Sequence, residues 1–108
     1  MSDILAQLSK TLNERKQADP ASSYTAALFA AGPEAILKKI GEEATEVVIA
    51  GTAGNKSEIV HETADLWFHT LVLLSHYGLT ADDILVELKG RVGRSGLDEK
   101  TSRNNKLK

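Results

Sequence analysis

The sequence predicts an all-α domain of about five helices, and three of its features do so. Apolar residues recur at steps of three and four along most of the 108 residues, which is the spacing of a helix with one buried face. No convincing run alternates apolar and polar residues between turn signals, as a half-buried strand does. Proline, glycine and capping residues divide the chain into segments of helical length. With 42% apolar content, residues 1–108 should form a single domain around one core.

The first two helices are predicted from apolar spacing and a break between them. The apolar spacing of the first helix ends near Lys16. Asp19-Pro20 then prevents the helix from continuing, because the residue before a proline avoids helical geometry. Its apolar positions are Ile4, Leu5, Leu8 and Leu12. A second, shorter helix is predicted from about Ser23 to Ala31.

A start signal and a glycine bound the third helix. Gly32-Pro33 followed by Glu34 predicts its beginning, because proline fits the first helical position and an acid there complements the helix dipole. The helix should run to about Ala50, with Gly51 as its stop.

Capping residues define the fourth helix. Asn55 with Glu58 three residues later resembles an N-terminal capping pair. The helix should end at Tyr77, where Gly78 is placed to adopt the left-handed conformation that closes a helix.

A fifth helix and a basic segment complete the chain. Thr80 with Asp83 predicts a start, and the helix should reach about Arg91. Residues 93–108 form a polar, basic C-terminal segment without helical periodicity. Of the thirteen Lys and Arg, seven fall in residues 89–108: Lys89, Arg91, Arg94, Lys100, Arg103, Lys106 and Lys108. Composition leaves a solvated tail and an anion-binding segment equally open.

Composition also excludes several classes of function. The absence of cysteine removes disulfides, thiolate zinc sites and a cysteine nucleophile, so a metal would be held by oxygen or imidazole. No stretch approaches the roughly 20 apolar residues of a membrane span, and residues 1–10 have no signal-peptide core. We therefore expect a cytoplasmic location and no membrane partner. The formal charge of −2 argues against a nucleic-acid partner.

Acidic residues form a stripe on each of the two longest helices. At about 100° per residue, one face of the third helix carries Lys39, Glu42, Glu43, Glu46 and Ala50, opposite Leu37, Ile40, Ala44, Val47 and Val48. The matching face of the fourth helix carries Glu62, Asp65, His69 and His76. Like charges three and four residues apart repel by roughly 0.2–0.5 kcal/mol per pair, so these stripes need an explanation.

A divalent cation provides that explanation. The short connection predicts that the two helices lie antiparallel, which lets Glu43 and Glu46 oppose Glu62 and Asp65. Four carboxylates at the edge of an apolar interface require a counter-charge. All-oxygen ligands favour Mg²⁺ or Mn²⁺ over zinc, and no EF-hand loop is present.

Magnesium held by carboxylates completes its coordination with water and substrate phosphates, so the pattern indicates phosphate-ester or anhydride chemistry. Lys38 and Lys39 are placed to meet phosphate oxygens, or else form a solvated fringe. For His69 three roles stay open: orienting a ligand, contacting a phosphate, or filling space. His61 falls off the stripe, and Trp67 and Phe68 are expected in the core.

The acidic motifs and their flanks carry a resemblance. EEATE (42–46) followed by ETAD (62–65) resembles the E-E-x-x-E … E-x-x-D signature of the all-α, MazG-like nucleoside triphosphate pyrophosphohydrolases. SYTAALFAAG (23–32), KKIGEEATEVVIA (38–50) and RVGRSGLDEKTSR (91–103) resemble the phosphoribosyl-ATP pyrophosphohydrolase family, which acts in the second step of histidine biosynthesis. The similarity spans nearly the whole chain.

That resemblance implies hydrolysis of the α–β phosphoanhydride of phosphoribosyl-ATP, with magnesium as cofactor, by a homodimer of helical bundles. The implied metal ligands are Glu43, Glu46, Glu62 and Asp65, with Glu42 as an additional ligand or the group that orients the water. Lys38 and Lys39 would meet the polyphosphate. Weaker candidates for binding substrate phosphates are Arg91, Arg94, Ser95, Lys100 and Arg103.

Two other functions use the same features. A housecleaning or dUTPase-like enzyme would keep the metal site and act on a free nucleoside triphosphate. A non-catalytic helical adaptor would bind a basic peptide through its acidic stripe and need no magnesium.

Overall fold

The computed structural model describes residues 3–93, and within them the chain forms five helices and no strand. The helices are α1 (Ile4–Arg15), α2 (Tyr24–Ala31), α3 (Pro33–Ala53), α4 (Lys56–His76) and α5 (Ala81–Arg91). The all-α class is therefore confirmed. No helix in residues 3–93 has both the length and the apolarity needed to cross a bilayer.

Local capping interactions confirm most of the predicted helix starts. The Ser23 hydroxyl accepts a hydrogen bond from the Ala26 amide at 3.2 Å and begins α2. At α4, the Asn55 side chain accepts from the Glu58 amide at 3.1 Å. Thr80 and Asp83 form a capping box at α5.

The predicted end of α3 at Gly51 is wrong by three residues. The helix continues to Ala53, and Gly54 closes it in the left-handed conformation, with φ 69°. The Gly54 amide donates to the carbonyls of Ala50 and Gly51. A glycine inside a helix costs only about 1 kcal/mol relative to alanine, so Gly51 does not by itself end one.

All five helices contribute to a small core. Its buried apolar residues are Leu12, Leu28, Ile36, Leu71, Val72 and Ala81. The helices α3 and α4 share the most extensive packing, whereas α5 packs mainly against α1. The hairpin of α3 and α4 is therefore the most extensively packed part of the described chain, and it positions side chains on either helix.

One expectation about burial is wrong, and one apolar face is more exposed than its composition suggests. Leu37 and Val48, on the apolar face of α3, are 51% and 66% exposed, because α3 has one extensive neighbour and packs against it along Ile36 and Ala50. Trp67 was expected in the core and is 58% exposed. Phe68 does pack against the core.

The core predicts a clear difference between two valines on α4. Val72→Ala is expected to lower the free energy of unfolding by about 2 kcal/mol, because Val72 is fully buried and its lost methyl groups leave a cavity. Val60→Ala is the matched control, since Val60 is 70% exposed on the same helix and should change stability by no more than about 0.5 kcal/mol. Urea denaturation of both variants tests this, and equal effects would contradict the assignment of Val72 to the core.

Candidate active site

The hairpin of α3 and α4 brings the acidic residues of both helices to matching levels. Only Gly54 and Asn55 separate the two helices, so they run antiparallel, side by side. Glu46 precedes Gly54 by eight residues and Glu62 follows Asn55 by seven. Glu43 and Asp65 lie about one turn further from the connection on their respective helices. Along the helix axes, Glu46 therefore lies level with Glu62, and Glu43 lies level with Asp65.

Two of these acids are largely buried. The side chains of Glu43 and Glu62 are only 13% and 16% exposed, whereas that of Asp65 is 43% exposed. Glu42 and Glu46 lie on the exposed side of α3. Carboxylates are seldom this buried unless a partner compensates their charge. Glu43 and Glu62 therefore form the inner part of the acidic cluster, which we define as Glu43, Glu46, Glu62 and Asp65.

The charges of the other three acids in the cluster all act on Glu62. Burial raises the pKa of Glu62 above its ordinary value of 4.5, and the neighbouring charges of Asp65, Glu46 and Glu43 raise it further. His61 acts in the opposite direction and lowers that pKa. Every other member of the acidic cluster thus disfavours the negative charge on Glu62. A bound cation would relieve this repulsion.

His61 lies beside two acids of the cluster, which the helical-face argument did not predict. Its Nε2 lies 3.5 Å from Oδ2 of Asp65 and 3.9 Å from Oε1 of Glu62. Possible ligand atoms of His61, Glu62 and Asp65 all lie within 4.8 Å of one another. The placement of His61 off the stripe is therefore wrong. Its spacing of four residues from Asp65 is the signal that would have found it.

His69 occupies the interior rather than the surface of the site. It is 6% exposed, and both ring nitrogens lie within hydrogen-bond distance of protein groups. Nδ1 is 2.9 Å from the carbonyl oxygen of Asp65, and Nε2 is 2.9 Å from the hydroxyl of Tyr24. Of the three roles left open by the sequence, this geometry favours positioning over contact with a phosphate.

The basic candidates are distributed unevenly. Lys39 lies beside the acidic cluster, with its Nζ 3.9 Å from Oε1 of Glu43, and Lys38 is exposed on the same turn of α3. Arg91 lies on α5, where it binds the Glu87 carboxylate at 3.2 Å. The remaining candidates, Arg94, Ser95, Lys100 and Arg103, lie outside the described residues.

The raised pKa of Glu62 predicts how stability depends on pH. At pH values above 4.5, Glu62 is protonated to a greater extent in the folded protein than in the unfolded chain, because its pKa is raised in the fold. In metal-free buffer, the Glu62 contribution to the free energy of unfolding should therefore decrease as the pH rises through the folded-state pKa. Urea denaturation across this range should show a shallower decrease for Glu62→Gln than for the wild type. Identical pH profiles would contradict the shift.

The fold and the acidic cluster define a class: helical-bundle proteins that gather carboxylates between two antiparallel helices. More particularly, the chain belongs to the phosphoribosyl-ATP pyrophosphohydrolase family, whose profile matches residues 5–92. A phosphoribosyl-ATP pyrophosphatase of Geobacter sulfurreducens is 58% identical over 102 residues, covering 94% of each chain. That of Azoarcus sp. is 52% identical over 103 residues, covering 95% of this chain and 96% of its own. That of Geobacter metallireducens is 56% identical over 101 residues, covering 94% and 93%.

Proposed function

We propose that this protein hydrolyses the α–β phosphoanhydride of phosphoribosyl-ATP to phosphoribosyl-AMP and pyrophosphate, the second step of histidine biosynthesis. Its family and the names of its relatives support this reaction. Within the chain, the proposal rests on the gathering of carboxylates between α3 and α4, where the side chains of Glu43 and Glu62 are only 13% and 16% exposed. Burial and the charges of the other three acids raise the pKa of Glu62, which agrees with this arrangement. Such a concentration of carboxylates suits an enzyme whose substrate arrives with a divalent cation.

The acidic cluster fits Mg²⁺, with Mn²⁺ as the alternative ion. Its donors are carboxylate oxygens, which these hard cations prefer, and the charge that it accumulates around Glu62 calls for a cation. We assign Glu43, Glu46, Glu62 and Asp65 as ligands and add His61 as a further candidate. When bound, the ion would neutralise charge on the polyphosphate during hydrolysis.

Residues on α3 would bind and orient the reactants. Lys38 and Lys39 lie one turn before the acids and would contact polyphosphate oxygens as point charges. Glu42 is exposed beside Glu43, where it would orient the attacking water or act as an additional ligand. Arg91, Arg94, Ser95, Lys100 and Arg103 stay weaker candidates for the substrate's other phosphates.

Comparing substrates tests the assignment. With Mg²⁺, kcat/KM for phosphoribosyl-ATP is expected to exceed that for ATP or dUTP by at least about a hundredfold, because a polar site built for additional substrate groups discriminates strongly against analogues that lack them. A preference for ATP or dUTP would instead support the enzyme that acts on free nucleotides. No turnover of any of the three, together with no Mg²⁺ or Mn²⁺ binding by calorimetry, would support the adaptor.

We also propose that the protein is a homodimer. A groove of about 400 Å³ lies between α4 and α5, and the described residues that line it are uncharged; they include Leu5, Leu66, Trp67, Ile84, Leu85 and Leu88. Burying an apolar side chain of this size contributes roughly 1.5–3 kcal/mol, so water contact along the groove is unfavourable. A second copy offers the same apolar face under two-fold symmetry, which makes it the simplest matching partner.

A further inference from the structure

Tyr24 combines an exposed ring with an anchored hydroxyl. The residue begins α2 and is 56% exposed, yet its hydroxyl lies 2.9 Å from Nε2 of the buried His69. The two rings meet edge to face, with centroids 6.0 Å apart and planes at 87°. An exposed tyrosine ordinarily samples several rotamers, but this hydrogen bond and this ring contact restrict it to one.

The direction of the hydrogen bonds makes this anchor specific. The Asp65 carbonyl can only accept, so Nδ1 of His69 carries a proton, and in this tautomer Nε2 is an acceptor. The Tyr24 hydroxyl therefore donates to Nε2. Because His69 is buried, loss of this donor would leave its nitrogen without a partner and disfavour other positions of Tyr24.

The anchored ring is connected to the acidic cluster through His69, whose two ring nitrogens lie within hydrogen-bond distance of the Tyr24 hydroxyl and the Asp65 carbonyl. His69 follows Asp65 by four residues on α4, which places it about 6 Å further along the same face of the helix. The ring of Tyr24 contacts that of His69, with 6.0 Å between ring centroids. In a nucleotide, one ribose separates the α-phosphate from the base, and this distance is similar to the one from Asp65 to His69 along α4. A nucleotide whose phosphates reach the acidic cluster could therefore extend its base toward Tyr24.

We propose that Tyr24 determines specificity by packing its exposed ring against the purine base of the nucleotide, and that His69 is the positioning residue that holds this ring in place. The inference rests on the proposed function and adds the recognition of the base to it. Aromatic rings stack on bases through their π-faces, which requires an open face and a fixed orientation. By contrast, Trp67 lies in the apolar groove, and Tyr77 follows Asp65 by twelve residues at the end of α4.

Two substitutions distinguish stacking of the Tyr24 ring on the base from mere shielding of His69 by the Tyr24 side chain. Tyr24→Phe and Tyr24→Leu both remove the hydroxyl and both fill the space with apolar atoms, but only phenylalanine keeps an aromatic ring. Calorimetry with Mg²⁺ would measure binding of phosphoribosyl-AMP and, separately, of pyrophosphate. We expect Tyr24→Leu to bind phosphoribosyl-AMP at least about fivefold more weakly than Tyr24→Phe, with pyrophosphate affinities that agree within about twofold.

The anchor is tested by His69→Leu, which removes the acceptor for Tyr24. Its KM for phosphoribosyl-ATP is expected to rise by more than its kcat falls, while its affinity for pyrophosphate stays close to that of the wild type. Tyr77→Ala is a control, because this exposed tyrosine lies at the far end of α4 and should leave all three quantities unchanged.

Equal phosphoribosyl-AMP affinities in Tyr24→Phe and Tyr24→Leu would overturn the proposal. So would a parallel loss of pyrophosphate affinity in Tyr24→Leu, since that would indicate damage to the whole site. Failure of the wild type to hydrolyse phosphoribosyl-ATP is a different result, because it would refute the proposed reaction rather than the role of the ring.

Discussion

Replacing Glu62 by glutamine is expected to reduce kcat for phosphoribosyl-ATP by at least about a hundredfold, because a bound metal ion contributes several kcal/mol of charge stabilisation to hydrolysis and the proposed ligand would lose the charge that holds this ion. Glutamine keeps the size and one oxygen of the side chain but removes the negative charge. Glu62 is the member of the acidic cluster whose pKa is raised by burial and by the other three carboxylates. Its charge is therefore unfavourable in the metal-free protein, and a bound cation would offset it.

The same substitution should leave the fold intact. Because Glu62→Gln removes an unfavourable charge, the free energy of unfolding in metal-free buffer should be unchanged or higher at neutral pH. Titration calorimetry should show weaker Mn²⁺ binding together with the lost turnover. Glu14→Gln is the matched control, since Glu14 is exposed on α1 and undergoes the same chemical change. Near-normal turnover in Glu62→Gln would contradict the ligand assignment.

Replacing Ile84 by glutamate is expected to convert the proposed homodimer to a monomer at micromolar concentration. Ile84 lines the apolar groove between α4 and α5, together with Leu85 and Leu88. In a two-fold symmetric dimer, each substitution would occur twice, so two carboxylates would lose their hydration in an apolar interface. Uncompensated burial of this kind exceeds the few kcal/mol that an apolar side chain contributes.

Val86→Glu provides the control for this prediction. Val86 lies on the same helix, is 71% exposed, and is absent from the lining of the groove. Sedimentation velocity should show a dimer for the wild type and Val86→Glu, and a monomer for Ile84→Glu. The helix content of Ile84→Glu should be unchanged. A monomeric wild type, or a dimeric Ile84→Glu, would contradict an interface along this groove.

Short-range signals explain which parts of the fold the sequence predicted well. The starts of α2, α4 and α5 depend on Ser23, Asn55 and Thr80, each of which binds a group within three residues of itself. The end of α3 was harder to predict, because Gly51 and Gly54 are equivalent as local signals. Continued packing of α3 against α4 favours the longer helix.

For the acidic cluster too, local spacing predicted some features, and packing between helices decided others. Acid spacing selected Glu43, Glu46, Glu62 and Asp65 as candidates, and the electrostatic environment of Glu62 includes all of them. Their role as ligands stays a prediction. Helical spacing alone did not distinguish the half-buried carboxylates of Glu43 and Glu62 from the exposed one of Glu46, because burial depends on the neighbouring helix.

The sequence by itself determined the helices, their order and the acidic stripes, because hydrogen bonds within a helix and capping contacts involve residues a few positions apart. Only the tertiary structure decided which side chains meet across helices. Tyr24 and His69 are 45 residues apart, and their hydrogen bond exists because α2 packs on α4. Within residues 3–93, the tertiary structure likewise leaves the apolar surface of α4 and α5 exposed, because the five described helices are too few to enclose it.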